Sequence, residues 1–160
     1  MLEVLVRLPL AVLAGGLVGF EREWKQKAAG LRTHMIVCLG SATFTLVGAR
    51  LYDDLRRAGA ESTQMDPMRL IAGIIGGIGF LGAGSIIRAR GSVRGLTTAG
   101  GLWLVGALGV AIGGGDLVTA ACAAVLALVV LHGFHGLEKR LSDDGGGSPP
   151  APRDVEESPR

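Results

Sequence analysis

The 160 residues suffice for one domain, and 49% of them are hydrophobic, with a mean hydropathy of +0.45 that is high for a chain folding in water. A net charge of +2 supplies no basic stripe for nucleic acid, and the two cysteines, Cys38 and Cys122, both lie in apolar stretches with no metal-ligand spacing. The 27 glycines follow no G-X-Y period, which excludes collagen, and the charges gather between long apolar runs, so the class is an all-α, polytopic membrane protein.

The first span runs from Leu2 to Phe20. Its Glu3 and Arg7 are four residues apart, on one helix face and within pairing reach. The positive charge lies inside the apolar run and no cleavage site follows, so the span reads as a retained helix rather than a signal peptide. Pro9 falls where neighbouring helices in a bilayer can absorb a kink. The loop that follows carries Glu21, Arg22, Glu23, Lys25, Lys27 and Arg32, with Trp24 as an interfacial anchor. A second span, His34 to Tyr52, holds Ser41, Thr43 and Thr45, whose hydroxyls can return hydrogen bonds to the helix or to a neighbour.

Asp66-Pro67 opens the third span with an N-cap and the residue best tolerated at a first helical position. The apolar run from Met68 to Ile87 is long enough, at about 1.5 Å per residue, to cross the roughly 30 Å of a bilayer core. Its glycines would weaken a helix in water by about 1 kcal/mol each against alanine. In lipid they let another backbone come close, and Gly73-x-x-x-Gly77 is a small-xxx-small pattern. Gly19, Gly73, Gly77, Gly79, Gly82 and Gly84 are therefore expected to serve helix packing, and the glycine faces to support a homo-oligomer. Arg69 sits in the first turn, where the helix dipole favours anions, so a carboxylate partner is expected, Asp66 or Glu3.

After Arg88-x-Arg90 the chain turns through Gly91 to Gly95 into a fourth span, Leu96 to Ile112. Gly113-Gly114-Gly115 breaks it, and Asp116 is placed to N-cap a fifth span, Leu117 to about Leu137. Residues 1–141 thus form a transmembrane domain of five helices. Residues 142–160, rich in Gly, Pro and Ser and without periodicity, read as a disordered cytoplasmic tail.

Lys and Arg near the membrane fall nine on one side (Arg22, Lys25, Lys27, Arg32, Arg88, Arg90, Arg94, Lys139, Arg140) and five on the other (Arg7, Arg50, Arg56, Arg57, Arg69). That count puts the N-terminus outside and the C-terminus in the cytoplasm. A shift of 65 positions lays Gly19, Gly30, Leu31 and Thr33 on Gly84, Gly95, Leu96 and Thr98. The match describes two tandem two-helix repeats of the same orientation plus a fifth helix.

The chemistry-bearing residues collect at the cytoplasmic face: Glu21, Arg22, Glu23, Arg32, Thr33, Arg88, Arg94, Thr97 and Thr98. Helix N-termini and arginines there suit an anion or an acidic partner, and ionisable groups at membrane boundaries are often functional. Lone cations such as Lys25 and Arg90 read as positive-inside anchors. His132 and His135 are three apart with no third ligand, so no metal and no cofactor is expected. No Ser-His-Asp order, phosphate loop or catalytic cysteine context exists, and G-I-G-F-L-G lies wholly within an apolar span, so no enzyme is expected.

Together GGLVGFERE, GLRTHMIVCLGS, GGIGFLGAGSIIR and VRGLTTAGGLW, in that order, closely resemble the N-terminal membrane domain of the MgtC/SapB family, over about residues 8 to 137. The resemblance implies a bacterial inner-membrane protein tied to magnesium homeostasis, low-magnesium growth and virulence. It implies a non-enzymatic regulator that restrains a membrane partner such as the F-type ATP synthase rather than moving magnesium itself. Carried over, the matching positions include Gly19, Glu21, Arg22, Glu23, Arg32, Thr33, Gly79, Gly82, Gly84, Arg88, Arg94, Thr97 and Thr98. The chain departs from the virulence-associated pattern at Thr97 (Asn there) and Leu104 (Cys there), and a short tail stands where many members carry a folded C-terminal cytoplasmic domain. The alternative is a transporter or channel for an ion or small solute, with the repeat interface as path and Glu21 and Glu23 as its mouth. A water-accessible cavity between the repeats would favour transport; a sealed, glycine-packed core would favour regulation.

Overall fold

The computed structural model describes residues 2–59, 66–89 and 92–144, with side chains up to residue 133. Five helices follow one another: α1 (Leu2–Trp24), α2 (Leu31–Arg57), α3 (Pro67–Gly84), α4 (Leu96–Gly114) and α5 (Leu117–Asp144). Four are long and apolar enough to cross a membrane; the described apolar part of α5, Leu117–Gly133, is shorter. The third helix ends at Gly84, three residues before the apolar run does. Ile87–Ala89 (β1) and Ser92–Arg94 (β2) then pair as an antiparallel hairpin, with Arg88 opposite Val93. The fourth helix extends two residues past Ile112, and the reversal falls on Gly115 alone, at φ 91°. The fifth helix continues to Asp144, into the segment read as tail; residues 145–160 of that tail lie outside the described residues.

Caps follow the local chemistry. Asp66 Oδ1 accepts from Met68 N at 2.8 Å, and Asp116 Oδ1 from Thr119 N at 3.0 Å, each satisfying one orphan donor of a first turn. At the other end of α4, Arg7 Nη1 donates to Gly113 O at 2.9 Å while Nη2 stands 3.6 Å from Glu3 Oε2. The guanidinium therefore sits where the helix's negative end favours it.

Lipid tails are as apolar as leucine, so these helices are held by close van der Waals contact rather than by apolar burial. The closest contacts converge on α2 and α4. A Cβ on Gly15 would lie 2.6 Å from His34 O, and one on Gly19 2.9 Å from Leu31 Cα, so α1 and α2 run antiparallel almost backbone to backbone. A Cβ on Gly109 would strike Cys38 O and Ser41 Cβ, and one on Gly113 would lie 2.7 Å from Ala42 O. Later residues of α4 meet later residues of α2, so the two helices are parallel, as repeats of one orientation require. Gly30 and Gly95, matched by the 65-residue shift, are their respective N-caps. Gly95 has φ 92°, and a Cβ there would also strike Ser85 O, so two constraints make it glycine.

α4 is the central helix and touches all the others. Around it lies the core of Ala11, Val18, Cys38, Ala42, Val105, Leu108 and Ile112. Of the four bilayer-length helices α3 is the least covered: only Ile74, Ile78 and Gly82 are buried. Among the described residues a Cβ on Gly73, Gly77, Gly79 or Gly84 would meet nothing within 4 Å, and one on Gly82 would make ordinary contact with Ala99 Cβ at 3.5 Å.

Candidate functional site

At the end of the bundle where α1 finishes and α2 and α4 begin, the apolar core gives way to a buried ionic cluster. Glu21 is 5% exposed and Arg22 2%. Arg22 Nε donates to Glu21 Oε2 at 2.5 Å, and Lys25, one turn on, brings its ammonium 2.7 Å from Oε1 as an ion pair rather than a directed hydrogen bond. Lys25 Nζ also donates to Leu131 O at 2.9 Å, and His132 Nδ1 lies 4.0 Å from Glu21 Oε1. The cluster thus fastens α1 to α5. Two cations surround one carboxylate, so no acidic cage is left open for a divalent cation. Among the described residues there is no group of three His, Cys, Asp or Glu placed to hold a metal ion.

His34 is fully buried, one turn into α2. Its Nδ1 lies 2.8 Å from Gly30 O; a carbonyl only accepts, so Nδ1 carries the proton and Nε2 the lone pair. Nε2 faces α4, where a Cβ on Gly101 would lie 3.4 Å from it. Among the described residues Nε2 and Arg22 Nη1 are both buried without a hydrogen-bond partner. Such groups destabilise a fold by about 1–3 kcal/mol each where nothing pairs with them, which makes this end of the bundle the candidate site.

The other candidates are distributed differently. Glu23 is exposed and accepts from Leu31 N at 2.9 Å, which caps α2 in place of a side chain on Gly30. Arg32 and Thr33 are exposed on the first turn of α2; Arg88 and Arg94 are exposed on the hairpin. Among the described residues none of these three arginines makes an ion pair, so Arg94 and Arg32 are not joined to Glu21 or Glu23. Thr98 is buried and Thr97 exposed at the start of α4. Lys25, read from sequence as an anchor, is instead a member of the cluster; its i,i+4 spacing from Glu21 was the available signal. His34 gave none, because a histidine that opens an apolar span looks like an interfacial one. The expected carboxylate partners of Arg69 are otherwise engaged, Glu3 with Arg7 and Asp66 with the amide of Met68. His135 lies outside the described side chains.

A bundle of bilayer-length apolar helices, closed by glycine contacts and carrying one internally compensated ionic cluster, defines a polytopic membrane protein. The sequence profile of the MgtC family matches residues 8–140. The chain belongs to the MgtC family. It is 39% identical over 139 residues to "Putative magnesium transporter YhiD" of Escherichia coli K12, covering 87% of this chain and 64% of that one. It is 42% identical over 120 residues to protein MgtC of Brucella abortus, covering 75% and 46%, and 40% over 128 residues to protein MgtC of Salmonella typhimurium, covering 80% and 51%. The matched region is thus between about half and just under two thirds of those relatives' own length. No solved structure matches the chain.

Proposed function

We propose that the protein is a non-enzymatic regulator in the bacterial inner membrane, acting in magnesium and energy homeostasis by docking helix to helix on a membrane partner. The observation that carries this reading is the closed α2–α4 seam. Gly109 and Gly113 bring α4 onto the α2 backbone at Cys38 and Ala42, where a transporter would need a path between its repeats. At the end of that seam, Glu21 is neutralised by Arg22 and Lys25 rather than presented as a cation mouth.

The family resemblance points to the F-type ATP synthase as the partner. The Lys and Arg count supports an N-terminus outside and the ionic cluster at the cytoplasmic end. Gly79 and Gly84 of α3, also uncovered, supply a face for the partner or for a second copy, since small residues let helix backbones approach. The name of the YhiD relative favours the second reading, a magnesium transporter.

One pair of measurements separates the two. Purified protein in liposomes is tested for Mg2+ and H+ movement under an imposed potential, and inverted membrane vesicles are tested for ATP-driven proton pumping with and without the protein. The regulator gives no flux and reduced pumping. Mg2+ or H+ flux by the wild-type protein, with pumping unchanged, refutes it.

A further inference from the structure

α2 and α3 leave between them an apolar groove of about 580 Å³. Ile36 and Phe44 line it from α2, and Leu70, Gly73, Gly77 and Leu81 from α3. Gly73 and Gly77 give it its depth, since a Cβ on either meets nothing within 4 Å. From Arg69 to Leu81 is twelve residues of α3, or about 18 Å, against about 15 Å for half of a bilayer's hydrocarbon core. The groove is therefore as long as the acyl region of one leaflet.

Its outer end is polar in a particular way. Arg69 lines both the groove and an adjoining hollow of about 340 Å³, which it shares with Asp66, Tyr52 and Gly48. Among the described residues the Arg69 side chain has no hydrogen-bond or ion-pair partner, and it stands in the first turn of α3, where the dipole calls for an anion. Asp66 accepts from Met68 N through Oδ1, and among the described residues its Oδ2 has no hydrogen-bond partner at the same hollow. A cation and an anion side by side, above a groove one acyl chain long, complement a zwitterion with an apolar tail.

We propose that this groove is a binding site for one aminophospholipid of the phosphatidylethanolamine type. Arg69 holds the phosphate, Asp66 the ammonium, and one acyl chain lies over Gly73 and Gly77. A polypeptide helix is the competing occupant, but it would cover the groove without using the adjacent opposite charges.

The test is native mass spectrometry of protein reconstituted with phosphatidylethanolamine or phosphatidylglycerol and released from mild detergent, joined to photo-crosslinking from position 73. Wild type should retain one phosphatidylethanolamine at energies that strip other lipid, at least about fivefold more often than phosphatidylglycerol. Arg69→Gln should lose retention of both lipids. Asp66→Asn, which still caps α3, should lose only the preference. Gly77→Leu should lose retention by filling the groove; if that variant fails to fold, the two head-group variants decide. The crosslinker should label lipid. Equal retention of the two lipids by wild type, an Arg69→Gln variant that retains lipid normally, or crosslinked dimers in place of labelled lipid would each overturn the proposal.

Discussion

The most direct consequence of the buried cluster concerns Glu21→Gln. The carboxylate and its guanidinium partner have side chains 4% and 3% exposed, so removing one charge strands the other in a site with almost no water. Breaking such a pair costs about 3–5 kcal/mol, a shift of roughly a hundred- to a few thousandfold in the unfolding equilibrium. Arg22→Gln should cost a similar amount. The double variant Glu21→Leu/Arg22→Leu should lose far less than the sum, because a well-packed apolar replacement of a buried pair is often close to neutral. A positive coupling of at least about 2 kcal/mol is therefore expected. The assay is reversible SDS titration in mild detergent micelles, followed by far-ultraviolet circular dichroism, with His132→Ala as a control that should shift little across its 4.0 Å separation. If Glu21→Gln stays within about 0.5 kcal/mol of wild type and adds to Arg22→Gln without coupling, the pair is solvated and its burial does not govern the fold.

The remaining expectations use the same titration unless stated. Gly109→Ala and Gly113→Ala should each destabilise by about 1–3 kcal/mol, since the new methyl meets Ser41 Cβ at 2.6 Å or Ala42 O at 2.7 Å, whereas Gly100→Ala, with open space around it, should be neutral or stabilising. Arg7→Gln should cost about 1.5–3 kcal/mol by removing the charged donor from Gly113 O. Asp116, between α4 and α5, has its carboxyl held below the ordinary value by its hydrogen bonds with Thr119. Its cap therefore contributes fully above about pH 3.9 and is lost as pH falls through the lowered value. The deficit of Asp116→Ala against wild type should accordingly be constant near neutrality and shrink below about pH 4 in a pH series of melts. A deficit that does not change between pH 7 and pH 3 would refute that cap.

The membrane class and the five helices were legible because apolar length is a strong signal and needs no neighbour to interpret. From sequence the third helix reads too long because Ile86 and Ile87 continue the apolar run of α3. Only the pairing of Ile87–Ala89 with Ser92–Arg94 shows that the chain has already become a hairpin. The ionic cluster was half legible. Glu21, Arg22 and Glu23 stood out as charges at a helix end, but burial divides them: Glu21 turns into the bundle with Arg22, while Glu23 reaches out to cap α2. A loop was expected at Glu21–Trp24, and its residues are instead the last turn of α1, which is what aims Glu21 and Arg22 inward.

The glycines show where sequence reading runs out. In water a helix declares its buried face by its apolar stripe; in lipid both inside and outside are apolar, so α3 and α4 look alike as glycine-rich spans. The structure separates them: Gly106, Gly109 and Gly113 of α4 are occupied by Ile78, Ser41 and Thr45, while Gly73, Gly77 and Gly79 of α3 meet nothing. The same residue type closes the bundle on one helix and leaves a face uncovered on the other. Substitution by leucine should expose this division of labour. At Gly109 or Gly113 of α4 it should unfold the chain; at Gly79 it should leave the melt unchanged and, under the regulatory reading proposed above, remove the effect on proton pumping. A Gly79→Leu variant that melts like wild type and still restrains proton pumping would show that the open face of α3 is lipid-facing surface rather than the docking surface.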